Sequence, residues 1–374
     1  MRDLAWAETF NEVPRLPRRA GTCLVTAFPI MSGHGQIAVR LYELGFFEKL
    51  LFFKLRRNDV EEGYGDVVRP RIPLSYISAF LSLYFPGRWS RAVSGATWVH
   101  FNSPHFFDLS RFNPRASGTI HDLLWTDRVA QRFRDNPLGS HFYFSRELRY
   151  ADRLKGVVVI SHVVQSALQA RLPKTDSTVI HNWVGEEFRP RNKEGARERL
   201  GIPPGRRVLL HVSIDNVRKN IEILPKILDM LGPRYVLVRI GDSKRIAHLF
   251  QPHQLIARER VRISDYSWYF NAADALVFPS FSEGFGIPLA EAICSGLPVI
   301  ASDIPIFREL LPKSYPFFAN PSVPNSWKEP IQTAVEAGLS DPYAHKLYGE
   351  LPQHFRRTRA IAEYREFFQR IAKF

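Results

Sequence analysis

A chain of 374 residues is long enough for roughly two domains, and its 45% hydrophobic residues are typical of a globular protein with sizeable cores. With two cysteines and no run of eighteen apolar residues, the sequence excludes a disulfide-rich scaffold and predicts no membrane-spanning helix. The excess of 51 Lys and Arg over 37 Asp and Glu gives a net charge of +14, which attracts polyanions such as nucleotides, anionic lipids or nucleic acids.

The first half of the chain alternates short apolar runs with helical or loop sequence. GTCLVTAFPI near the N-terminus has the composition of a strand, and it is followed by the glycine-containing MSGHGQ and the amphipathic IAVRLYELGFF. This order predicts strand, glycine turn and helix. Four further strand-like runs follow, LLFFKL, TWVHF, SGTIHDLL and GVVVIS. Alternation of this kind predicts a parallel sheet with helices on both faces, which we assign to residues 1–184.

A charged stretch at 185–206 separates the two halves and is predicted to be a linker. The pattern then restarts with strand-like RRVLLHVS, YVLVRIGDS, DALVFPS and LPVIAS, which alternate with helical sequence. A second doubly wound α/β domain is therefore predicted over 207–350. Residues 351–374 have the pattern of a final helix.

The segment 280–302, SFSEGFGIPLAEAICSGLPVIAS, places two carboxylates eight positions apart, Glu283 in a loop and Glu291 in a helix. Pro288 suits the first helical turn, where its missing N–H has no partner to lose. Gly284 and Gly286 permit close backbone approach to a ligand, and the helix start offers N–H groups to an anion. A phosphate-bearing substrate whose hydroxyls are held by carboxylates fits this arrangement.

This segment resembles the donor-binding E-x7-E signature of retaining glycosyltransferases with the GT-B fold, the group of glycogen synthases and many mannosyltransferases. The resemblance covers residues 20 to about 312 and implies two Rossmann-like domains facing each other across a cleft. It further implies that Glu283 contacts the transferred sugar and that Glu291 holds the ribose. Phe285 belongs to the same donor loop. In this fold, the last helix crosses back to the first domain.

HVSIDNVRKNI, residues 211–221, resembles the phosphate-binding turn of the same family. The resemblance assigns Lys219 to the donor diphosphate and Arg218 to its support, roles that suit a point charge and a bidentate fork. Many members also have an arginine six positions before the lysine. Here that position is Ser213, so this part of the phosphate site is either absent or supplied elsewhere.

Two further motifs lie in the first half. Gly33 and Gly35 flank His34 after the first strand, where the family's first loop lies beneath the donor diphosphate, although such a turn can also merely connect two elements. His121 and Asp122 follow a strand and resemble the family's His-Asp motif. A histidine there can stabilise developing charge, whereas a structural histidine is the alternative.

No Asp-x-Asp follows a hydrophobic strand, so we expect no metal site and no cofactor beyond the nucleotide-sugar co-substrate. The charge of the leaving group would be met by Lys219, Arg218 and helix N-termini. The resemblance thus implies metal-independent transfer of a hexose to a hydroxyl of a glycan or lipid-linked acceptor, with retention of configuration. GDP-mannose is favoured over UDP-sugars as the donor.

Two other functions stay open: a GT-B sugar-nucleotide epimerase, and a catalytically silent basic scaffold that binds membrane or nucleic acid.

The N-terminal residues lack the apolar core of a signal peptide, which predicts a cytoplasmic protein. Residues 72–89, IPLSYISAFLSLYFPGRW, are apolar and aromatic, with Arg88 and Arg91 at their end. They suit either an interfacial helix on an anionic membrane surface or a buried helix of the first domain. No specific nucleic acid is expected as a partner.

Overall fold

All strand pairs of the structure are parallel. The structure is a computed structural model that describes residues 21–26, 33–53, 66–68, 87–123, 148–337 and 351–371. Its contacts divide the chain into two units. The N-terminal unit comprises the described residues up to Asn182 together with Ile361–Ile371, and the C-terminal unit comprises those of Trp183–Ala360.

Seven strands form the sheet of the N-terminal unit, in the order β3-β2-β1-β4-β5-β6-β7. They are β1 Thr22–Thr26, β2 Lys49–Phe53, β3 Asp66–Val68, β4 Trp98–Phe101, β5 Ala116–Ile120, β6 Val157–Val159 and β7 Ser177–Val179. The α-helices described in this part of the chain are α1 Gly33–Glu43, α2 Arg88–Ser94 and α3 His162–Gln169, and a 3₁₀ helix spans Pro104–Phe112. Since both faces of a parallel sheet are covered, strands such as β1 and β5 are buried along their whole length.

Six strands form the sheet of the C-terminal unit, in the order β10-β9-β8-β11-β12-β13. They are β8 Arg207–Val212, β9 Tyr235–Ile240, β10 Leu255–Arg258, β11 Ala275–Phe278, β12 Val299–Ser302 and β13 Phe318–Ala319. The α-helices described here are α4 Lys193–Leu200, α5 Ile223–Leu231, α6 Ile263–Ala272, α7 Ile287–Cys294, α8 Pro305–Leu310 and α9 Lys328–Ala337, and α10 Arg357–Ile371 follows. The predicted pair of doubly wound α/β sheets is confirmed.

The core of the C-terminal unit forms where α5 and α9 cover β8, β9 and β11. Leu209 pairs in register with Leu237, and Trp327 is fully buried beside them. Each such aliphatic or aromatic side chain contributes roughly 1.5–3 kcal/mol by leaving water. This packing holds the ends of β8 and β11, from which the candidate site is built.

The segment predicted as a linker, 185–206, lies within the C-terminal unit and contains helix α4. Two basic residues of α4, Lys193 and Arg197, form ion pairs with Asp274, each with an N–O distance of 2.8 Å. Asp274 is nearly buried and also accepts the N–H of Val208 at 2.7 Å. The charges of this segment therefore attach α4 to the C-terminal sheet, where the sequence suggested a solvated connection.

The boundary between the units falls within α10, after Ala360. In the N-terminal unit, the ring of Phe368 lies 5.2 Å from that of Phe46, 5.5 Å from Phe47 and 5.6 Å from His100. Helix α10 thus contributes to the core of the domain formed by the first half of the chain.

Most of the segment 72–89 lies outside the described residues. Its last residues enter α2, where Trp89 is buried against Phe106. Among the helices that the structure describes, none combines the length and apolar character needed to cross a bilayer. Cys23 and Cys294 are buried and are not joined in a disulfide, and burial raises the pKa of the Cys294 thiol to about 12, so it stays protonated at neutral pH.

Candidate active site

The order of the C-terminal strands defines where a ligand can bind. From β8 the chain crosses to β9 on one side, and β11 lies on the other side of β8. The loops that follow β8 and β11 therefore diverge at this point, and open α/β sheets bind ligands at such a switch point, at the carboxyl ends of the strands. Both glutamates of the donor signature and the Arg-Lys pair follow these two strands in sequence.

The turn after β8 is held in a fixed conformation. Asn216 accepts the N–H of Arg218 at 3.0 Å and begins a short 3₁₀ turn over Val217–Lys219. Asn220 ends it with φ 52°, a left-handed conformation that asparagine tolerates better than most residues. Its side chain donates to the carbonyls of Pro279 at 3.1 Å and Pro321 at 2.7 Å. The turn is thereby tied to the loop after β11.

Glu283 lies between the two cations of this turn. Lys219 Nζ is 2.5 Å from its Oε1, and Arg218 Nη1 is 3.0 Å from its Oε2. Ser280, at the end of β11, donates its hydroxyl to Oε1 at 2.7 Å. The structure thus brings together three residues that the sequence assigned to donor binding and adds Ser280 to them.

These contacts fix the charge of the Glu283 carboxyl. Burial by itself would raise the pKa, but Lys219 and Arg218 outweigh it and lower the pKa of Glu283 to about 2. Glu283 is therefore a carboxylate at any pH at which the protein functions. It can accept hydrogen bonds from sugar hydroxyls, but it has no proton to donate as a general acid.

The predicted glycine turn leads into α7 as expected. Gly286 has φ +94° and ψ 61° and forms the N-cap, and Pro288 lies in the first helical turn. A Cβ on Gly286 would lie 2.8 Å from the ring of Phe307 and 3.0 Å from that of Phe278. Only glycine fits here, because a side chain would meet both rings in a conformation that L residues rarely adopt.

Two neighbours of Gly286, Gly284 and Phe285, are buried, and Phe285 packs edge-on against Phe355 with 6.1 Å between the ring centroids. Phe285 thereby anchors the donor loop in the protein. Its buried position explains why an apolar residue stands between the two glycines of this loop.

Glu291 lies in α7 and is buried, with 1% of its surface exposed. The hydroxyl of Tyr266, in α6, donates to its Oε2 at 2.8 Å. The ring of Tyr266 packs against Phe188 and Phe270, at 5.9 and 5.5 Å between centroids. The second glutamate of the signature is therefore oriented by a tyrosine that in turn is held by aromatic packing.

Ser213, where many members of the resembled family have an arginine, pairs with a buried histidine. His211 is fully buried, and burial, followed by the charge of Arg239, lowers its pKa to about 3, so the ring is neutral. Its Nδ1 lies 2.9 Å from the carbonyl oxygen of Val277 and must carry the proton, since a carbonyl only accepts. Nε2 then accepts the hydroxyl of Ser213 at 2.9 Å.

In the N-terminal unit, His121 directly follows β5 and is 3% exposed. Its Nε2 lies 3.2 Å from Oδ1 of Asn102, the residue after β4. The chain adds β2 and β3 on one side of β1, and then β4 and later strands on the other side, so the switch point lies between β1 and β4. His121 and Asn102 therefore lie beside the N-terminal switch point. His121 is therefore held in one orientation at a strand edge where ligands bind.

The other predicted residues of this unit are placed as follows. Asp122 is half-buried, and its charge opposes the effect of burial on His105, whose pKa is nevertheless lowered to about 4. Gly33 and Gly35 are the first and third residues of α1, not of the turn before it, and residues 27–32 lie outside the described part of the chain.

The sequence analysis did not predict four residues that contact the candidate site residues described above. They are Asn102, Tyr266, Ser280 and His211. Asn102 and Ser280 had a usable signal, since each stands at the carboxyl end of a strand that borders a switch point. Tyr266 had none, because it lies 25 positions before Glu291 on a different helix.

Comparison with known proteins agrees with this geometry. Residues 192–347 match the family model described as Glycosyl transferases group 1. The O-antigen chain mannosyltransferase RfbU of Salmonella typhimurium is 28% identical over 229 residues, which are 57% of this chain and 59% of that protein. The lipopolysaccharide glucosyltransferase WaaG of Escherichia coli is 32% identical over 123 residues, 31% of this chain and 33% of WaaG. The chain thus spans about a third to three fifths of these relatives.

Solved structures resemble the whole chain. Sucrose-phosphate synthase from Thermosynechococcus elongatus superposes with a TM-score of 0.73 at 18% identity, over 95% of this chain and all of that one. HepE of Anabaena, in complex with UDP and glucose, superposes with a TM-score of 0.71 at 15% identity, over 94% and 99%. At such identities the likeness establishes the fold. The chain has the GT-B fold, and its residues 192–347 are a domain of the glycosyl transferases group 1 family.

Proposed function

We propose that the protein is a retaining hexosyltransferase that moves a sugar from a nucleotide-sugar donor to a hydroxyl of a glycan or lipid-linked acceptor. The observation that carries this proposal is the Glu283 carboxylate, held by Lys219, Arg218 and Ser280 at the switch point of the C-terminal sheet. Among the relatives are a mannosyltransferase and a glucosyltransferase by name, and one structural neighbour holds UDP and glucose. These support a nucleotide-linked hexose as the donor.

The cluster has the charges that the reaction needs. A diphosphate leaving group gains negative charge as the glycosidic bond breaks, and Lys219 and Arg218 are positioned to stabilise that charge. Glu283, freed from them, accepts hydroxyl hydrogen bonds of the transferred sugar. Glu291, oriented by Tyr266, holds the ribose. Since Glu283 is ionised and already paired with cations, we assign it to binding and orienting the sugar and not to proton donation.

Retention of configuration follows from front-side displacement, in which the departing phosphate helps to deprotonate the acceptor hydroxyl. No protein side chain forms a covalent intermediate in this scheme. Because the two cations of the turn take the place of a metal ion at the diphosphate, we propose that turnover needs no divalent ion. We retain GDP-mannose as the favoured donor, ahead of UDP-sugars.

The test is thermal stabilisation by GDP-, UDP- and ADP-sugars in EDTA, for the wild type and for Glu291→Ala. A ligand at a hundred times its Kd adds about 2.7 kcal/mol, enough to raise the melting temperature measurably. One nucleotide should stabilise the wild type and lose its effect in the variant. If no nucleotide stabilises the wild type, the catalytically silent scaffold becomes the better description.

With the donor identified, turnover is measured in EDTA with glycan and lipid-linked hydroxyl acceptors. The anomeric configuration of the product is read by NMR. Donor consumption without any acceptor would instead indicate a sugar-nucleotide epimerase. Loss of turnover in EDTA that Mg²⁺ restores would refute metal independence, and an inverted product would refute retention.

A further inference from the structure

A cavity in the C-terminal unit lies between α4, with the segment that enters it, and the surface of α6. It is open, has a volume of about 590 Å³, and shares no residue with the Glu283 cluster. Three arginines line it, Arg189, Arg191 and Arg199. The rest of the lining includes Trp268 and, at the start of α4, Asn192 and Gly195. No carboxylate side chain is part of the lining.

Two of the arginines are fixed against the tryptophan. The guanidinium carbon of Arg191 lies 4.6 Å from the centre of the Trp268 ring, and that of Arg199 lies 5.0 Å from it. Arg191 also donates its Nη1 to Ser267 at 3.1 Å, and its backbone N–H donates to Asn271 at 2.7 Å. Their positions are therefore set before any ligand arrives, which lowers the entropic cost of binding.

The positive charge of the cavity is only partly compensated. Arg199 binds Asp265, with Nη2 2.5 Å from Oδ1. Within the described part of the chain, neither Arg189 nor Arg191 has an ion-pair partner, and Arg189 is exposed. Burial, and next the charge of Arg189, lower the pKa of Arg191, while Glu187 acts in the opposite direction. Like charges are thus held close together at a cost in free energy that a bound anion would remove.

A purely structural role does not account for this arrangement. Arg191, just before α4, and Arg199, near its end, do attach this helix to α6 through Ser267 and Asp265. Arg189, however, makes no hydrogen bond to any described residue, yet it lines the same cavity. Its contribution is therefore to the charge of the cavity.

We propose that this cavity is a binding site for a phosphate-bearing group, either the headgroup of an anionic lipid or a soluble phosphate compound. Guanidinium groups bind phosphate oxygens through paired N–H donors. The volume exceeds that of a single phosphate and falls within the range of ligand sites, so a second phosphate or a polar headgroup fits beside the first. Trp268 supplies an apolar surface for the part of the ligand that is not charged.

The experiment uses the full-length protein with Lys219→Met, which weakens the donor site so that it does not compete for the probe. Pyrophosphate binding is measured by isothermal titration calorimetry in this background. Adding Arg189→Gln and Arg191→Gln should weaken binding at least tenfold. The matched control, Arg234→Gln with Arg260→Gln, removes two exposed charges elsewhere in the same unit and should change the affinity less than threefold.

The single variant Arg189→Gln is the control for a folding defect, because the Arg189 side chain is exposed. This variant should have a lower affinity for pyrophosphate and an unchanged melting temperature. Equal losses in the two double variants would show non-specific attraction and would overturn the proposal. Absence of pyrophosphate and vesicle binding in the Lys219→Met protein would overturn it as well. Neither result depends on donor turnover, which is measured separately on the wild type.

Vesicles distinguish the two sources of phosphate. Cosedimentation is compared for phosphatidylcholine vesicles with and without phosphatidylglycerol. Binding to the anionic vesicles that is lost in the Arg189→Gln, Arg191→Gln protein but kept in the control assigns the site to a lipid headgroup. Pyrophosphate binding that needs these arginines, with vesicle binding that does not, assigns it to a soluble phosphate compound.

Discussion

In the proposed function, a donor diphosphate would compete with Glu283 for Lys219 and Arg218. With no ligand bound, Lys219 and Arg218 neutralise Glu283, and the cluster keeps a net positive charge. When a diphosphate takes over these cations, the carboxylate becomes available to sugar hydroxyls. The proposal thus predicts that the carboxylate and the two cations exchange partners when the donor binds, and that substitutions of these residues act in opposite directions on nucleotide affinity.

Glu283→Gln should lower kcat by on the order of a hundredfold or more, because a neutral amide is a weaker acceptor for sugar hydroxyls in the transition state. The same change should leave the affinity for the free nucleoside diphosphate unchanged or tighter, since it frees Lys219 and Arg218. Steady-state kinetics and calorimetry measure the two effects.

Lys219→Met is the matched comparison and should weaken nucleoside diphosphate binding. A wild-type kcat in Glu283→Gln would contradict the assigned role of this carboxylate. Equal losses of nucleotide affinity in both variants would contradict the exchange of partners. Because the pKa of Glu283 is about 2, its ionisation should also leave no trace in the pH profile of kcat between pH 5 and 9.

Arg239 is expected to lower the free energy of unfolding of the protein. It lies in β9, between β10 and β8, with 0% of its surface exposed, and its Nε and Nη2 have no hydrogen-bond partner among the described residues. Replacing a buried charge that lacks a close carboxylate with an apolar side chain of similar length is expected to be stabilising, by about 1–3 kcal/mol. Urea unfolding of Arg239→Met measures this.

Arg234→Met, a change at an exposed residue just before β9, is the control and should leave the urea midpoint within error of the wild type. A less stable Arg239→Met protein would show instead that the guanidinium makes a net favourable contribution in the folded state.

The sequence analysis proposed residues that lie within a continuous motif. It missed residues that reach the candidate site from a different secondary-structure element. Lys219 and Glu283 could be assigned because each follows a strand in a specific motif. Tyr266 could not, because which face of α6 meets α7 depends on how the two helices pack.

Among the elements, the turn into α7 depends most closely on one residue. Gly286→Ala should destabilise the protein by about 2 kcal/mol or more, since it adds a left-handed backbone cost of roughly 1–2 kcal/mol to a clash with Phe278 and Phe307. It should also weaken donor binding, because Glu283 and Glu291 lie on either side of this turn. Thermal unfolding and nucleotide titration measure the two effects.

Gly205→Ala separates backbone strain from the clash. Gly205 has φ +75°, but a Cβ there would meet no atom within 4 Å. This control should lose only the backbone part and keep wild-type donor affinity. If both variants are equally stable and bind donor equally well, Gly286 is not needed to shape the loop.

The elements that could be predicted were long, apolar and bounded by turns, such as β8, β9 and β11. β10 was missed because it is an edge strand whose residues are only partly buried, so it lacks a continuous apolar run. β13 has two residues, Phe318 and Ala319, too few for any periodicity. Helix α4 was read as linker because its sequence, KEGARERL, is almost entirely polar, and its ion pairs with Asp274 have no local signal.

At the scale of the whole molecule, two buried histidines and the partly buried His105 should make stability fall as the pH drops. Burial lowers the pKa of His100 and His211 to about 3 and that of His105 to about 4. Below their unfolded pKa of about 6.5, the unfolded chain binds protons that the folded protein does not. Each histidine should therefore lower the free energy of unfolding by on the order of 2 kcal/mol between pH 7.5 and pH 5.

Urea unfolding at pH 7.5 and pH 5 measures this dependence. His100→Gln removes one of the three groups and should reduce the loss by about a third, even if it lowers stability at both pH values. Carboxylates with lowered pKa, such as Glu283, lose their contribution only below pH 4.5 and do not interfere. An equal urea midpoint at both pH values would contradict the prediction.

The two-sheet architecture could be predicted from alternation alone, because parallel strands buried on both faces have continuous apolar runs. The composition of the two units could not be read in the same way. Residues 361–371 belong with the first half of the chain because Phe368 packs beside Phe47 and His100, a contact between residues more than 260 positions apart.

This placement of α10 has a consequence for synthesis on the ribosome. The strands of the N-terminal unit are complete once β7 has emerged, but its last helix is translated roughly 180 residues later, a delay of roughly 10 to 40 s at 5–20 residues per second. Throughout that interval, the nascent first domain exposes the apolar surface around Phe46 and Phe47. The N-terminal unit therefore cannot complete its core until α10 has been synthesised, so the appearance of this helix sets the earliest time at which its folding can finish.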